Sequence, residues 1–463
     1  MVRRLRSNAA GLTCLTAALL LFGRPVLALE DVALPDYLEL RAQLKAGNYE
    51  KVETTLDAFQ RGFESGRHSD EVVSYAFSAF ATTDKSLEEP LAAWAEARPD
   101  SYAAALSQGY YEWHQGWVAR GCAWREDTNP RRFEAMTGYF RRAERELERA
   151  ILLNRHLSVA YAALVNIHMA QGRRGEMDWA HGRGLVVVPK SREIRRRYLY
   201  GMLPKWGGSM IEIEGLVGGA LREHAEVPYL ASLAGMPDYA KADQLTSGGK
   251  RQAAVEHFDR ALSRGEDLWI TFQRGENHLS LGNLGGALAD ANRLLAESPD
   301  SVRFLNFRGR VYRRMKRPDL ALADWNRAIE LDPLDPHYLK NRAALHRDEK
   351  QYRKALIDLD DALVFGAYDA SVRAQRGSLF LYDLKRAGKA VSEYRLATSL
   401  APDVALHWYN LSGALYRTLN CDFIDAGRRY LELCKAAASC KQDLVDWVEA
   451  AIEAEIRHKA CPG

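Results

Sequence analysis

Residues that could do chemistry are dispersed along this 463-residue chain, and few stand at the spacing that chemistry requires. A zinc-protease helix needs two histidines four apart with a glutamate beside the first, and no H-E-x-x-H occurs. No G-x-S-x-G elbow for an activated serine and no G-x-x-x-x-G-K-[ST] phosphate loop occurs either. His224 and Glu226 stand two apart and cannot share a helical face. His168 and His181 fall on separate segments and read as core or solvated histidines. Gly207 and Gly208 follow Trp206 without the β-strand that a phosphate cradle needs, so they read as a structural turn with a packed tryptophan. Asp358, Asp360 and Asp361 lack the alternating oxygens and central glycine of a calcium loop and read as a solvated acidic face. These patterns supply no catalytic residue, metal site or cofactor, and the expectation is a protein that is not an enzyme.

Two clusters carry more definite meaning. Tyr110, Tyr111, Trp113, Trp117 and Trp124 form an aromatic-rich stretch with two readings. At helical spacing the rings are interior packing; as an exposed row they would stack on sugars. The second reading would suit an accessory protein for envelope polysaccharide export or binding. Four cysteines gather near the end: Cys421, Cys434, Cys440 and Cys461. The pattern predicts a helix over 422–437, a turn at Ala438-Ser439 and a helix over 441–459. At 1.5 Å per residue, Cys421 and Cys434 would lie about 20 Å apart, and Cys440 and Cys461 about 30 Å. A disulfide needs Cα atoms within about 7 Å. An antiparallel hairpin instead joins the outer pair and the inner pair, which predicts Cys421–Cys461 and Cys434–Cys440. A zinc site of all four is the competing reading, but no C-x-x-C knuckle supports it. Cys122 has no evident partner and reads as a buried thiol, with reactivity left open.

The elements that must position these residues are helices. Strand signals are nearly absent; the one β-branched run, Leu185 to Val188, stops at Pro189. Breakers punctuate the chain at hairpin intervals: Gly47-Asn48, Pro99-Asp100, Gly172, Gly248-Gly249, Gly282-Asn283, Pro299-Asp300, Pro333 and Pro402. In the C-terminal half the pattern repeats every 34 residues: Gly275 returns as Gly309, Pro299 as Pro333, Ala321 as Ala355, and Ala328 as Ala362. From Ala370 onward Gly377 fits, but Ala390, Ala397 and Pro402 each arrive one residue late. Leu305, Gly309, Tyr312, Ala321, Trp325, Ala328 and Pro333 make this stretch resemble the tetratricopeptide repeat (TPR) family. The resemblance implies an all-α, right-handed α-solenoid of helix hairpins, here ending in a disulfide-stapled helical hairpin. Such arrays are non-catalytic scaffolds for protein–protein interaction.

The family binds partners in a concave groove lined by helix A at positions 2, 5, 9 and 12, and Gly309 sets the register as position 8. The resemblance then implies a groove of Arg303, Asn306, Arg310 and Arg313 in one repeat and Lys340 and Arg347 in the next. A basic groove favours an acidic segment of a protein partner. Phe272 and Glu276 depart from the carboxylate-clamp subset, so a chain-terminal carboxylate is not implied. The earlier stretch carries Pro99-Asp100-Ser101, Trp117 to Gly121, Phe140 with Ala143 and Ala150, and Leu203 to Ser209. These residues resemble an uncharacterised bacterial domain of unknown function that precedes TPR repeats, over roughly 37–225.

The ends and the charge complete the reading. Arg3, Arg4 and Arg6 precede an apolar run from Ala9 to Phe22, and Val26-Leu27-Ala28 offers a cleavage site after Ala28. This pattern predicts a signal peptide and a periplasmic or secreted protein starting at Leu29, with Cys14 lost in the leader. No later stretch is apolar enough to span a membrane. The net charge of +3 argues against a nucleic-acid binder driven by bulk charge. The expected organisation is a signal peptide over 1–28, an irregular helical domain over 29–239, a TPR array over 240–420 and a capping hairpin over 421–463.

Overall fold

Glycine and proline breaks divide the chain into helices joined by short turns, and the computed structural model describes residues 34–121, 130–365, 369–437 and 440–457. Regular structure among them is helical throughout, with no strand. The non-periodic stretch holds α1 (Tyr37–Lys45), α2 (Tyr49–Glu64), α3 (Asp70–Phe77), α4 (Glu88–Ala97) and α5 (Tyr102–Arg120). It continues with α6 (Pro130–Leu153), α7 (Ser158–Gln171), α8 (Arg174–Val187), α9 (Arg192–Gly201) and α10 (Met210–Glu223). Hairpins follow: α11 (Met236–Ser247) with α12 (Arg251–Ser263), α13 (Leu268–Leu281) with α14 (Leu284–Glu297), and α15 (Val302–Arg314) with α16 (Pro318–Leu331). Then come α17 (Pro336–Asp348) with α18 (Tyr352–Phe365), α19 (Ala370–Ser378) with α20 (Ala387–Leu400), and α21 (Ala405–Arg417) with α22 (Phe423–Ala437). Helix α23 (Gln442–Arg457) packs against α22.

The chain forms two compact units. The larger contains the described residues of 34–118 and 134–333; the smaller contains those of 119–133 and those from 334 onward.

In two of the hairpins a glycine on the first helix receives an aromatic ring from the second. A Cβ on Gly309 would sit 2.8 Å from Trp325 Cε2, and one on Gly377 would sit 2.8 Å from Tyr394 Cε1. Trp325 and Tyr394 are fully buried there. The periodic alanines Ala287, Ala321, Ala355 and Ala390 are buried as well, as close helix approach requires.

A second periodic device was not read from the sequence. Arg274, Arg308 and Arg342 each grip an aspartate sixteen residues on, in the partner helix of the same hairpin. The Nη2 to Oδ1 distances are 2.5 Å to Asp290, 2.8 Å to Asp324 and 2.6 Å to Asp358, and Nε bonds the other oxygen each time. Arg376 makes a looser counterpart of this tie, a single Nη1 bond of 2.8 Å to Glu393 seventeen residues on. Asp358 is therefore a buried, paired carboxylate, which corrects its reading as part of a solvated acidic face. Asp360 pairs with Arg376 at 2.7 Å, and both Asp360 and Asp361 are exposed.

The one-residue slip also has a structural cause. Leu379–Asp383 forms a π-turn, in which the Leu384 N–H donates to the Leu379 carbonyl five residues back at 3.0 Å. A π-turn houses one extra residue inside a helix. From α13 onward the left-handed residue that ends each first helix records the step: Gly282 (φ 78°), Lys316 (56°), Lys350 (59°), Lys385 (56°) and Leu419 (55°). The interval is 34 residues except across the π-turn, where it is 35.

In the larger unit, the first helices are bonded to the last hairpin. Arg41, from α1, donates to the Leu331 carbonyl at the end of α16 and to Ala79 O. The Thr82 hydroxyl reaches Leu331 O at 3.0 Å, and Thr83 and His114 both bond the Asp332 carboxylate. Asp332 is fully buried, so its partners are what make that burial tolerable.

In the smaller unit, Cys434 and Cys440 form a disulfide with Cα atoms 5.3 Å apart, as the hairpin reading expected. Gly427 lets α22 approach Val448 and Ile452 of α23. The expected Cys421–Cys461 bridge involves Cys461, which lies outside the described residues, as does Cys122.

Candidate interaction surface

The inner face of the first helix in each hairpin begins at register positions 2 and 5. In α13 these are Trp269 and Phe272; in α15 they are Arg303 and Asn306. All four are buried. The Arg303 guanidinium carbon lies 5.1 Å from the centre of the Trp269 ring and 5.8 Å from that of Phe272, a cation–π stack between successive hairpins. Asn306 accepts from the Trp325 indole at 2.9 Å. These two side chains serve the interior of the array.

What covers Trp269 comes from α9 and α11. Its indole N–H donates to the Tyr239 hydroxyl at 2.8 Å, and its ring meets Tyr200 of α9 edge-on at 6.2 Å. Every residue of α9 is buried, although its sequence reads REIRRRYLYG. Long-range partners make this possible. Arg192 pairs with Glu71 of α3 and, at 2.8 Å, with Asp267, the N-cap of α13. Glu193 holds Arg196 at 2.6 Å and Arg197 at 3.1 Å, and Arg197 lies 5.5 Å from the Trp113 ring centre. Asp70, at the start of α3, accepts from the Ser191 hydroxyl and from the Glu193 N–H at 3.3 Å. Burial pushes the Asp70 carboxyl up to about 6, against the pull of the Ser191 hydrogen bond. A cavity of about 10 Å³ between Arg196, Tyr200, Tyr239, Asp267 and Trp269 holds about one water and no organic ligand.

Positions 9 and 12 differ. Arg310 is 30% exposed and pairs with Glu276, its register counterpart one repeat earlier, at 3.0 Å through Nη2 and Oε2. Arg313, three residues on, is half-buried on the same helical face. In the smaller unit, Lys340 donates to the Ser371 hydroxyl at 2.9 Å, and Arg347 pairs with Asp383 at 2.6 Å. The expected basic residues thus split into two interior groups, Arg303 and Asn306, and four that reach the surface with local partners.

The other chemistry-bearing residues resolve into structure. Tyr110, Tyr111, Trp113 and Trp117 are buried, and both indoles donate to Asn166 Oδ1 at 3.1 Å. This removes them as a sugar platform; Trp124 lies outside the described residues. His168 faces Glu144 at 3.3 Å, and burial depresses its basicity. His181 stacks on Tyr198 at 3.8 Å, and burial, aided by Arg195, holds it down at about 4. His224 lies 3.9 Å from Glu226. Gly207 (φ 93°) ends a short 3-10 turn, and a Cβ on Gly208 would strike Met202 O, so this pair is a tight turn. The interior role of α9 was missed because its partners lie 121 and 75 residues away.

No curated protein is similar to the chain. A TPR protein from Parabacteroides merdae is 18% identical, covering 56% of this chain and 98% of its own, with a TM-score of 0.44. A thermophilic TPR protein from Thermus thermophilus is 21% identical over 39% of this chain and 99% of its own, at 0.37. YrrB, described as a TPR protein with an unusual peptide-binding site, is 19% identical over 41% of this chain and 95% of its own, at 0.30. Residues 272–336 and 308–371 match the tetratricopeptide repeat model, and residues 37–179 match a domain of unknown function, DUF4034. The all-α hairpin fold is typical of protein–protein interaction modules. The chain carries an N-terminal DUF4034 domain followed by tetratricopeptide repeats.

Proposed function

We propose that this protein is a non-catalytic scaffold of the bacterial cell envelope that binds an acidic segment of a protein partner. The observation that carries the reading is the face shared by Arg310 and Arg313. The neighbouring positions 2 and 5 are buried, while Arg310 stays 30% exposed and cationic beside its single carboxylate partner. A partner carboxylate can share that guanidinium with Glu276, because Glu276 engages only part of its five N–H donors, through Nη1 and Nη2. Export to a periplasmic space is supported by the basic start, the apolar run and the Val26-Leu27-Ala28 site. The experiment is crosslinking in intact cells with tagged protein, comparing the native chain with Arg310→Glu/Arg313→Glu. Loss of the captured protein supports the reading, and unchanged capture removes it. N-terminal sequencing of the exported chain should begin at Leu29; an intact Met1 there overturns the export proposal.

A further inference from the structure

The turn that follows the first helix of each hairpin requires a residue in the left-handed region. Between α13 and α14 that residue is Gly282, which adopts φ 78° without steric cost. In the next three hairpins the same register position holds lysine: Lys316 at 56°, Lys350 at 59° and Lys385 at 56°. A Cβ in this region clashes with the following carbonyl, so glycine would be the more stable choice three times over. Leu419 takes the same position in the last hairpin at 55°, so the strain alone assigns no role, and it is the charge around the lysines that points to one.

In the smaller unit the surroundings say what that is. Hairpins α17–α18, α19–α20 and α21–α22 pack in succession, so the turns bearing Lys350 and Lys385 lie along one edge. From Arg347 to Lys354 there are four cations against Asp348 and Glu349; from Asp383 to Lys389 there are three against Asp383. Lys350, Arg353, Lys354, Lys385, Arg386 and Lys389 are exposed, and none forms an ion pair with a described residue. Their local contacts are weak: Lys385 donates to the Tyr382 carbonyl at 2.6 Å, and the Lys389 ammonium lies 5.6 Å from the Phe380 ring centre. The four lysines are flexible point charges suited to meeting carboxylates singly, and Arg353 and Arg386 add planar forks that can meet them in pairs.

We propose that this turn edge grips an acidic segment of a protein partner, with Lys350 and Lys385 as its two fixed points. The proposal rests on the acidic-partner reading above and adds a second contact surface, away from the helix faces. A peptide fits better than a long polyanion, since the excess is local while the whole chain carries only +3.

The strain makes the test decisive, because removing the lysines should help the fold. In the full mature protein, Lys350→Gly/Lys385→Gly should raise the melting temperature and weaken binding of a fluorescein-labelled oligoglutamate about tenfold by anisotropy. It should also flatten the salt dependence of binding. A higher melting temperature with unchanged affinity overturns the proposal, since the lysines would then be incidental. If the native protein ignores oligoglutamate but binds dextran sulfate, the acidic-protein reading itself falls and this inference with it. If oligoglutamate binds and only Arg310→Glu/Arg313→Glu weakens it, the groove reading stands and the turn edge is excluded.

Discussion

The periodic arginine–carboxylate ties predict a specific cooperative weakness, and Arg308 is the cleanest place to probe it. Its fork meets Asp324 at 2.8 and 2.9 Å, and its third nitrogen reaches Asn292 in the preceding hairpin at 3.3 Å. The Asp324 side chain is 7% exposed and that of Arg308 is 26% exposed. Removing one partner of a fully buried pair costs about 3–5 kcal/mol, because the other charge stays buried and unmatched. Here a quarter of the arginine already touches water, which screens the pair, and water can follow into the vacated space; about 2 kcal/mol is the reasoned cost of Arg308→Met. Methionine keeps the aliphatic stem near Tyr312, so the loss is electrostatic. That free energy corresponds to about thirty-fold faster amide exchange in α15 and α16 through local opening, read by mass spectrometry, with α7 and α8 unchanged. Adding Asp324→Leu should restore most of the protection, since an apolar pair in place of a buried ion pair is nearly neutral. Exchange within threefold of the native rate in the single variant, or no recovery in the double, would refute the electrostatic account.

Other consequences can be checked alongside. Gly309→Ala should cost about 1–3 kcal/mol in chemical denaturation, because its methyl would meet Trp325 at 2.8 Å; a neutral result would mean the ring can move away. Asp70 has its folded value raised from 3.8 to about 6, so the folded state holds the extra proton: its contribution is present below about pH 3.8 and is lost as pH rises through 6. Asp70→Asn, which keeps an acceptor for the Ser191 hydroxyl, should therefore be the more stable protein at pH 7.5, by up to about 3 kcal/mol, and match the native chain near pH 4. A variant that melts lower at both pH values contradicts this. Cys434→Ser/Cys440→Ser should weaken the last hairpin by about 2 kcal/mol, as expected for a loop closed over six residues, with lost protection confined to α22 and α23. Leu419→Gly should gain about 0.5–1 kcal/mol, since that leucine is 91% exposed at φ 55° and packs on little.

Most of what is local was legible. The period placed the hairpins from α13 to α18, because glycine, alanine and proline markers act within one turn of where they stand. The last helices and their Cys434–Cys440 bridge followed from the rise of a helix and the reach of a disulfide. What escaped depends on residues far apart in the chain. Arg192 and Glu193 look like a solvated run until Glu71, Asp70 and Asp267 are brought beside them. Arg303 looks like a groove cation until Trp269 and Phe272 stack beneath it. Asp358 was misread for the same reason, since its partner is Arg342 on the facing helix. The slip after Ala370 was visible as a number, but only the hydrogen bond from Leu384 to Leu379 shows where the extra residue is stored.

That storage has a consequence for how such chains change over generations. One added residue in an unbroken helix would rotate everything after it by about 100°, turning the buried stripe toward water. By confining the misfit to Leu379–Asp383, the chain behaves like a crystal that heals around a stacking fault: Lys385 and Leu419 resume the 34-residue interval immediately beyond it. The family match ends at residue 371, eight short of the fault, while helix pairing continues for two more hairpins. An array built this way can drift in length by single residues, without whole-repeat duplication, and lose its recognisable spelling while keeping its architecture.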